Sequence, residues 1–307
     1  MKIAYIILTH RLPDQLTRLI YQLRDTGDSF FIHIDDRSDR KAGRNLSRHL
    51  GSQLGNQPDI HFLKRYACYW GGFGIVKATI EGIKGIVESG VEFDRVILLS
   101  GQDYPIKQKS YIKAFFEKNC DKEFMESFIL TSKNPWSEHG GSYKDLVRIM
   151  HWHFLLRSRP LHIPIERNFF QGIQPYGGSQ WWCLSKKCIE YVHHFIQGNP
   201  KFVNYFKYSF IPDELFFQTI VSNSPFAEKV TGDNLTYADW QNPNPNYPAV
   251  LGKRDLDALL ASPKLFARKF DGNRDTEILD LIDQSILNSA TDQSLGEPAI
   301  LSKPSVV

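Results

Sequence analysis

The chain has 307 residues, 42% of them hydrophobic and 13% aromatic, and a formal net charge of +3. That is enough apolar material for one large packed domain or two smaller ones. The charge is too small for a nucleic-acid footprint. Cys68, Cys120, Cys183 and Cys188 lack CxxC spacing and read as free thiols of a reducing compartment, not as a zinc site.

The opening run Ile3–Leu8 is apolar and is broken by His10, Arg11 and Pro13. It is too short to span a membrane, no cleavage site follows it, and it reads as a buried strand. Leu16, Leu19, Ile20 and Leu23 then recur at helical spacing, with Pro13 suited to the first turn. Phe30–Ile34 is a second strand, closed by Asp35 and Asp36. Residues 38–51 look helical but polar, and Ile60–Leu63 is a third strand. Ile75, Ala78, Thr79, Ile83, Ile86 and Val87 mark an amphipathic helix, and Arg95–Leu99 is a fourth strand running into Ser100-Gly101-Gln102-Asp103. Strands alternating with helices predict a mostly parallel sheet covered on both faces. Ligands of such sheets sit at the carboxyl ends of the strands, where Thr9, Asp35 and Asp103 fall.

Past residue 107 the pattern changes. Tyr111–Lys118 reads as a helix. Residues 133–179 are rich in Gly, Pro, His, Trp and Arg without clear periodicity, and read as loops facing a substrate. Trp181–Leu184 reads as a strand. Helices follow around Ile189–Ile196, Leu215–Ile220, Leu256–Leu260 and Ile278–Ile286. Residues 241–248 form a loop, and the polar stretch from Ser289 reads as a disordered tail.

Few groups could carry chemistry. Asp213-Glu214 precede an apolar helical run; they read either as capping acids or as a carboxylate able to take a proton. Arg268-Lys269, between Phe266 and Phe270, read as a solvated basic turn or as cations holding a diphosphate. Ser100-Gly101-Gln102-Asp103 offers one carboxylate where a metal-dependent sugar transferase carries a DxD triplet, which favours a metal-free site. Asp35, Asp36 and Asp39 are the alternative, a metal-dependent centre. Trp70-Gly71-Gly72-Phe73-Gly74 lacks a phosphate-loop ending and reads as a tight turn. His151, His153, His193 and His194 read as packing or surface histidines. The segment from Arg148 to Arg167 mixes Arg, His, Trp and Phe, and could bind a phosphorylated or glycolipid acceptor at a membrane surface; a loop packed over the site is the alternative.

In order along residues 3–286, Leu8-Thr9-His10, His33-Ile34-Asp35, Trp70-Gly71-Gly72, Leu99 to Ile106, Gly178-Ser179-Gln180-Trp181-Trp182, Pro212-Asp213-Glu214, Trp240 and Phe266 to Asp271 resemble the core-2/I-branching β-1,6-N-acetylglucosaminyltransferase family, which includes the peptide O-xylosyltransferases. The resemblance implies a GT-A-type α/β fold and inverting, metal-independent transfer from a UDP-sugar, with no cofactor. It implies one transferase domain over residues 1–288, with a nucleotide-binding half (1–106) and an acceptor and catalytic half (107–288). Glu214 matches the general base, and Lys269 the diphosphate-binding lysine beside Arg268. Asp35 matches a nucleoside contact, with Thr9 on the donor side. Trp240 and Glu126 match acceptor-binding positions, and the run from Tyr176 to Trp182, with Gly178, Ser179 and Trp181, reads either as backbone donors and aromatic faces offered to an acceptor sugar or as a turn into a strand. A second phosphate-clamping arginine falls on Asn246 by counting, and Lys253, Arg254 or Arg268 are its candidate substitutes. UDP-GlcNAc is the first donor expected and UDP-xylose the second. The acceptor expected is a polysaccharide or lipid-linked saccharide. Neither the membrane anchor nor the disulfides of the animal enzymes are seen, so a cytoplasmic setting is expected, with peripheral association at the inner membrane face. A non-catalytic carbohydrate-binding protein on a decayed transferase fold is the alternative from another class.

Overall fold

The computed structural model describes residues 1–38, 45–137, 142–156, 158–241 and 247–291. Asp39, Asn246 and the tail from residue 292 lie outside the described residues. The described residues form two compact units, one within residues 1–101 and 120–235, the other within residues 102–119 and from 236 to 291.

In the first unit the apolar runs of the sequence become the central strands β1 (Ile3–Thr9), β2 (Ser29–Ile34), β3 (Ile60–Phe62) and β4 (Arg95–Ser100). They pair in parallel in the order β3-β2-β1-β4. β2 is buried at every position, as a strand covered on both faces must be. Tyr5 lies opposite Phe30 in this register, and the two rings stack at 5.0 Å. The helix Pro13–Leu23 buries Leu16, Leu19, Ile20 and Leu23, one face of a 3.6-residue repeat. The helix Gly74–Glu88 shares a core with Ala4, Ile6 and Phe31.

β5 (Asp103–Pro105) belongs to the second unit. The first unit resumes with β6 (Phe124–Met125), β7 (Phe128–Ile129), the hairpin strands β8 (His151–Leu156) and β9 (Arg159–Glu166), β10 (Tyr176–Gly177) and β11 (Trp182–Ser185). β11 runs antiparallel between β4 and β6 and completes a six-stranded sheet. The α/β class with a mostly parallel sheet is the one expected. Residues 133–179 are not a set of loops. They hold the helix Ser142–Met150 and the β8–β9 hairpin, whose apolar residues defeat a periodicity reading because many of them face water.

The second unit is built on β12 (Thr236–Ala238) and β13 (Phe266–Arg268), parallel to each other, with β5 antiparallel to β13. The helices Lys109–Lys118, Leu256–Ala261 and Glu277–Thr291 complete it. The last helix runs past Ser289, where the sequence suggested that order ends. Among the described residues no helix is long and apolar enough to cross a membrane. All four cysteines are free thiols.

Candidate active site

In the first unit Thr9 ends β1 and Asp35 follows β2, and the Asp35 N–H donates to the Thr9 carbonyl at 2.8 Å. This places both at the carboxyl edge of the sheet. Thr9 is buried, and its hydroxyl donates to the Arg11 carbonyl at 3.2 Å. Asp35 is buried too. Its Oδ2 accepts from Arg37 Nη2 at 2.8 Å, and its Oδ1 accepts from the backbone N–H of Arg37 at 2.9 Å and of Cys68 at 3.3 Å. Burial pushes this carboxyl up, but the Arg37 guanidinium and the two backbone N–H groups outweigh it and hold the group below its ordinary value. Asp35 thus organises the turn after β2 through Arg37, a partner that the motif reading did not include.

The Asp213-Glu214 pair does not cap a helix. Ile211, in a left-handed conformation at φ 48°, turns the chain into a one-turn 3₁₀ helix, Pro212–Glu214, and the α-helix starts only at Phe216. Glu214 therefore projects from a tight turn ahead of the helix. Its Oε2 accepts from Arg148 Nη2 at 2.7 Å, and its side chain keeps 32% of its exposure while Arg148 keeps 14%. The Arg148 guanidinium lies over the Trp136 ring at 4.1 Å and donates to the Ile211 carbonyl at 3.3 Å. One planar cation thus fixes both the carboxylate and the turn that carries it.

Asp213 points the other way, into the interior. It is 5% exposed, and its Oδ1 has no hydrogen-bond partner among the described residues. Burial, with the Glu214 charge next to it, raises the Asp213 carboxyl from 3.8 to about 7 against the pull of Arg148.

Gly178 closes the wall beside Glu214. Its N–H donates to the Glu214 carbonyl at 3.0 Å. A Cβ on Gly178 would stand 2.0 Å from the Glu126 carbonyl oxygen, so only glycine lets these two segments meet. The backbones of Glu126, Gly178 and Glu214 are therefore brought together. Ser179 and Trp181 stand behind them. The Ser179 hydroxyl accepts from the Trp181 N–H at 3.3 Å, and the Ser179 carbonyl accepts from Gln218 at 2.6 Å. Trp181 is buried in the core, which corrects the expectation of a ring face offered to a sugar.

In the second unit Arg268 stands opposite Asp103 in the β13–β5 register. Arg268 Nε donates to Asp103 Oδ1 at 2.9 Å, with the acid 1% and the arginine 15% exposed. The lone carboxylate after β4 is thus neutralised inside a small sheet. The Gln102 amide donates to the Phe270 carbonyl at 3.1 Å, and the Phe270 N–H donates back to the Gln102 carbonyl at 2.8 Å. Lys269 is clamped between these anchors, with its Nζ 5.7 Å from the Tyr247 ring centroid. Trp240 follows β12, and Lys269 follows β13. The two residues leave the same ends of adjacent parallel strands, and Trp240 is 57% exposed. Of the other cations considered, Lys253 pairs with Glu277 at 2.6 Å and Arg254 with Asp255 at 3.6 Å.

The sequence of these parts matches a known family. The model of the Core-2/I-Branching enzyme family matches residues 3–260. The chain belongs to that family. Similar proteins include a xylosyltransferase of Ciona intestinalis, 26% identical across 98% of this chain and 35% of that protein. Xylosyltransferase 2 of Rattus norvegicus is 26% identical across 94% of this chain and 34% of that protein. The chain therefore spans about a third of the length of these relatives. Among solved structures, a galactosyltransferase in complex with donor and acceptor sugar analogs covers 92% of this chain and 96% of its own at 12% identity, with a TM-score of 0.38.

Proposed function

We propose that this family member transfers a sugar from a UDP-sugar to a saccharide hydroxyl with inversion and without a metal. Glu214 takes the proton of the acceptor hydroxyl. The oxygen attacks the anomeric carbon, and the bond from that carbon to the diphosphate breaks. UDP leaves with the bonding electron pair, and Lys269 offsets its growing negative charge. Arg268 serves next to Lys269 chiefly by fixing the strand, because Asp103 already balances its charge. Asp35 and Thr9 border the nucleoside, while Glu126, Gly178 and Trp240 border the acceptor.

The observation that carries this reading is Glu214 itself. It is a carboxylate held by Arg148 at 2.7 Å on a strained turn, yet still partly open. A general base must be both fixed and reachable. A decayed site reduced to carbohydrate binding would have no need of such a fixture.

UDP-GlcNAc is the first donor proposed. The similar xylosyltransferases keep UDP-xylose beside it as the second. A thermal-shift screen across UDP-sugars decides between them, because a ligand that binds only the folded state raises Tm. UDP release in the presence of saccharide acceptors tests the activity, and the same assay in excess EDTA tests the metal. Turnover that vanishes in EDTA and returns with magnesium or manganese would replace this mechanism with a metal-dependent one.

A further inference from the structure

The β8–β9 hairpin is the least expected part of the molecule. Cross-strand partners share a face, and here the pairs are Trp152 with Ile163, Phe154 with Leu161 and Leu156 with Arg159. One face is therefore apolar from the base of the hairpin almost to its tip. Tyr208 covers the base, with ring centroids 5.2 Å from Trp152 and 5.3 Å from Phe154. Towards the tip the cover ends. Leu156 is 62% exposed and Leu161 45%, and Ile165, at the bulge, is 61% exposed. A contiguous apolar surface of this kind in water marks a docking face.

The occupant follows from charge and from the strand edge. Pro160 and Pro164 both stand in β9 and offer no N–H to a further strand, which disfavours edge pairing with a second copy. The surroundings are basic. Arg159 is exposed at the tip. On the opposite face, where Leu155 pairs with Pro160, Lys207 and Lys77 line a cavity of about 380 Å³, and no carboxylate among the described residues lines it. The hairpin strands hold one acid, Glu166, at the base. Exposed apolar side chains on one face, with a cation at the tip and others behind it, suit a surface of phosphate headgroups over acyl chains.

We propose that this hairpin docks on an anionic lipid surface. Leu156, Leu161 and Ile165 enter the boundary between headgroups and acyl chains, and Arg159 and Lys207 pair with phosphates. The proposal goes beyond the sugar-transfer reading and does not depend on it, because lipid binding needs no donor.

The test is co-sedimentation of the full chain with vesicles of phosphatidylcholine alone and of phosphatidylcholine mixed with phosphatidylglycerol. Binding is expected on the mixed vesicles, about tenfold or more weaker on the neutral ones, and reduced by salt. Leu156→Ser combined with Ile165→Ser should weaken binding by about tenfold or more and leave Tm unchanged, since both side chains are exposed. Arg159→Ser with Lys207→Ser should remove the preference for anionic vesicles. Equal binding to both vesicle types, no binding to either, or full binding by the serine variant would overturn the proposal. So would a dimer in sedimentation velocity that the serine variant abolishes, which would assign the face to a second copy.

Discussion

Two of the arginine–carboxylate pairs of this protein look alike on paper and do different work. Arg148 meets Glu214 at 2.7 Å, and Arg268 meets Asp103 at 2.9 Å. In the second pair the acid is sealed at 1% exposure, between strands that need its charge balanced. In the first pair the arginine is the more buried partner, and the acid keeps 32% of its surface. A sealed pair can hold a fold together. A half-open pair holds a reactive group in place. Distance alone does not separate the two, but the exposure of the acid does.

Substitution of the two acids should split stability from activity. Asp103→Ala removes one member of the buried Arg268–Asp103 pair, and such a loss costs about 3–5 kcal/mol. Chemical denaturation should show that loss in the midpoint. Glu214→Gln keeps a hydrogen-bond acceptor for Arg148 and should unfold close to wild type. Its turnover should fall by about two orders of magnitude, equivalent to roughly 2.7 kcal/mol in the barrier, while UDP still binds. If Glu214→Gln turns over like wild type, the open acid is not the base. If Asp103→Ala is fully stable, the contrast drawn from exposure fails.

The parts of this comparison were unequally legible in the sequence. The four parallel strands stood out because each is an unbroken apolar run, and the helices between them kept one apolar face. Glu214 and Lys269 stood out through motif order. Their supports did not. Arg148 is 66 positions from Glu214, and Asp103 is 165 from Arg268, and no local pattern encodes such partners. Arg148 also lies in the stretch read as loops, where the outward leucines of β8 and β9 hide the alternation that a half-buried strand would show. Trp181 misled in the opposite sense. A tryptophan after a Gly-Gly turn suggests a platform for a sugar, but this one packs inward.

Lys269 sharpens the same contrast in the second unit. It sits one residue beyond the sealed Arg268, on a segment pinned through Gln102 and Phe270. Lys269→Ala should therefore leave the fold intact. It should weaken UDP binding and turnover by about one order of magnitude, near 1.4 kcal/mol, the loss expected for a charge-assisted contact to phosphate. Titration calorimetry with UDP measures the first effect. Arg268→Ala should instead lower stability first, because it takes the paired cation from a carboxylate that is only 1% exposed. Equal losses of stability in the two variants would erase the distinction between neighbours.

Asp213 gives the last and smallest test. Its carboxyl is raised from 3.8 to about 7 in the folded protein, so between those values the native state holds a proton that the unfolded chain has released. Stability from this group must then fall as pH rises through that window and level off above it. From pH 6 to pH 8 the loss is about 1.4 kcal/mol. Asp213→Asn mimics the protonated acid and should remove this slope, so that the variant matches wild type only below the unfolded value of 3.8 and gains on it progressively from there to pH 8. Thermal unfolding of both proteins across this range measures it. The same variant separates the neighbouring carboxylates. Glu214 remains in place next to a neutral residue, so turnover should persist in Asp213→Asn while it collapses in Glu214→Gln. Loss of activity in both would mean that the buried acid takes part in the proton transfer, and the division of labour between the sealed and the open carboxylate would have to be redrawn.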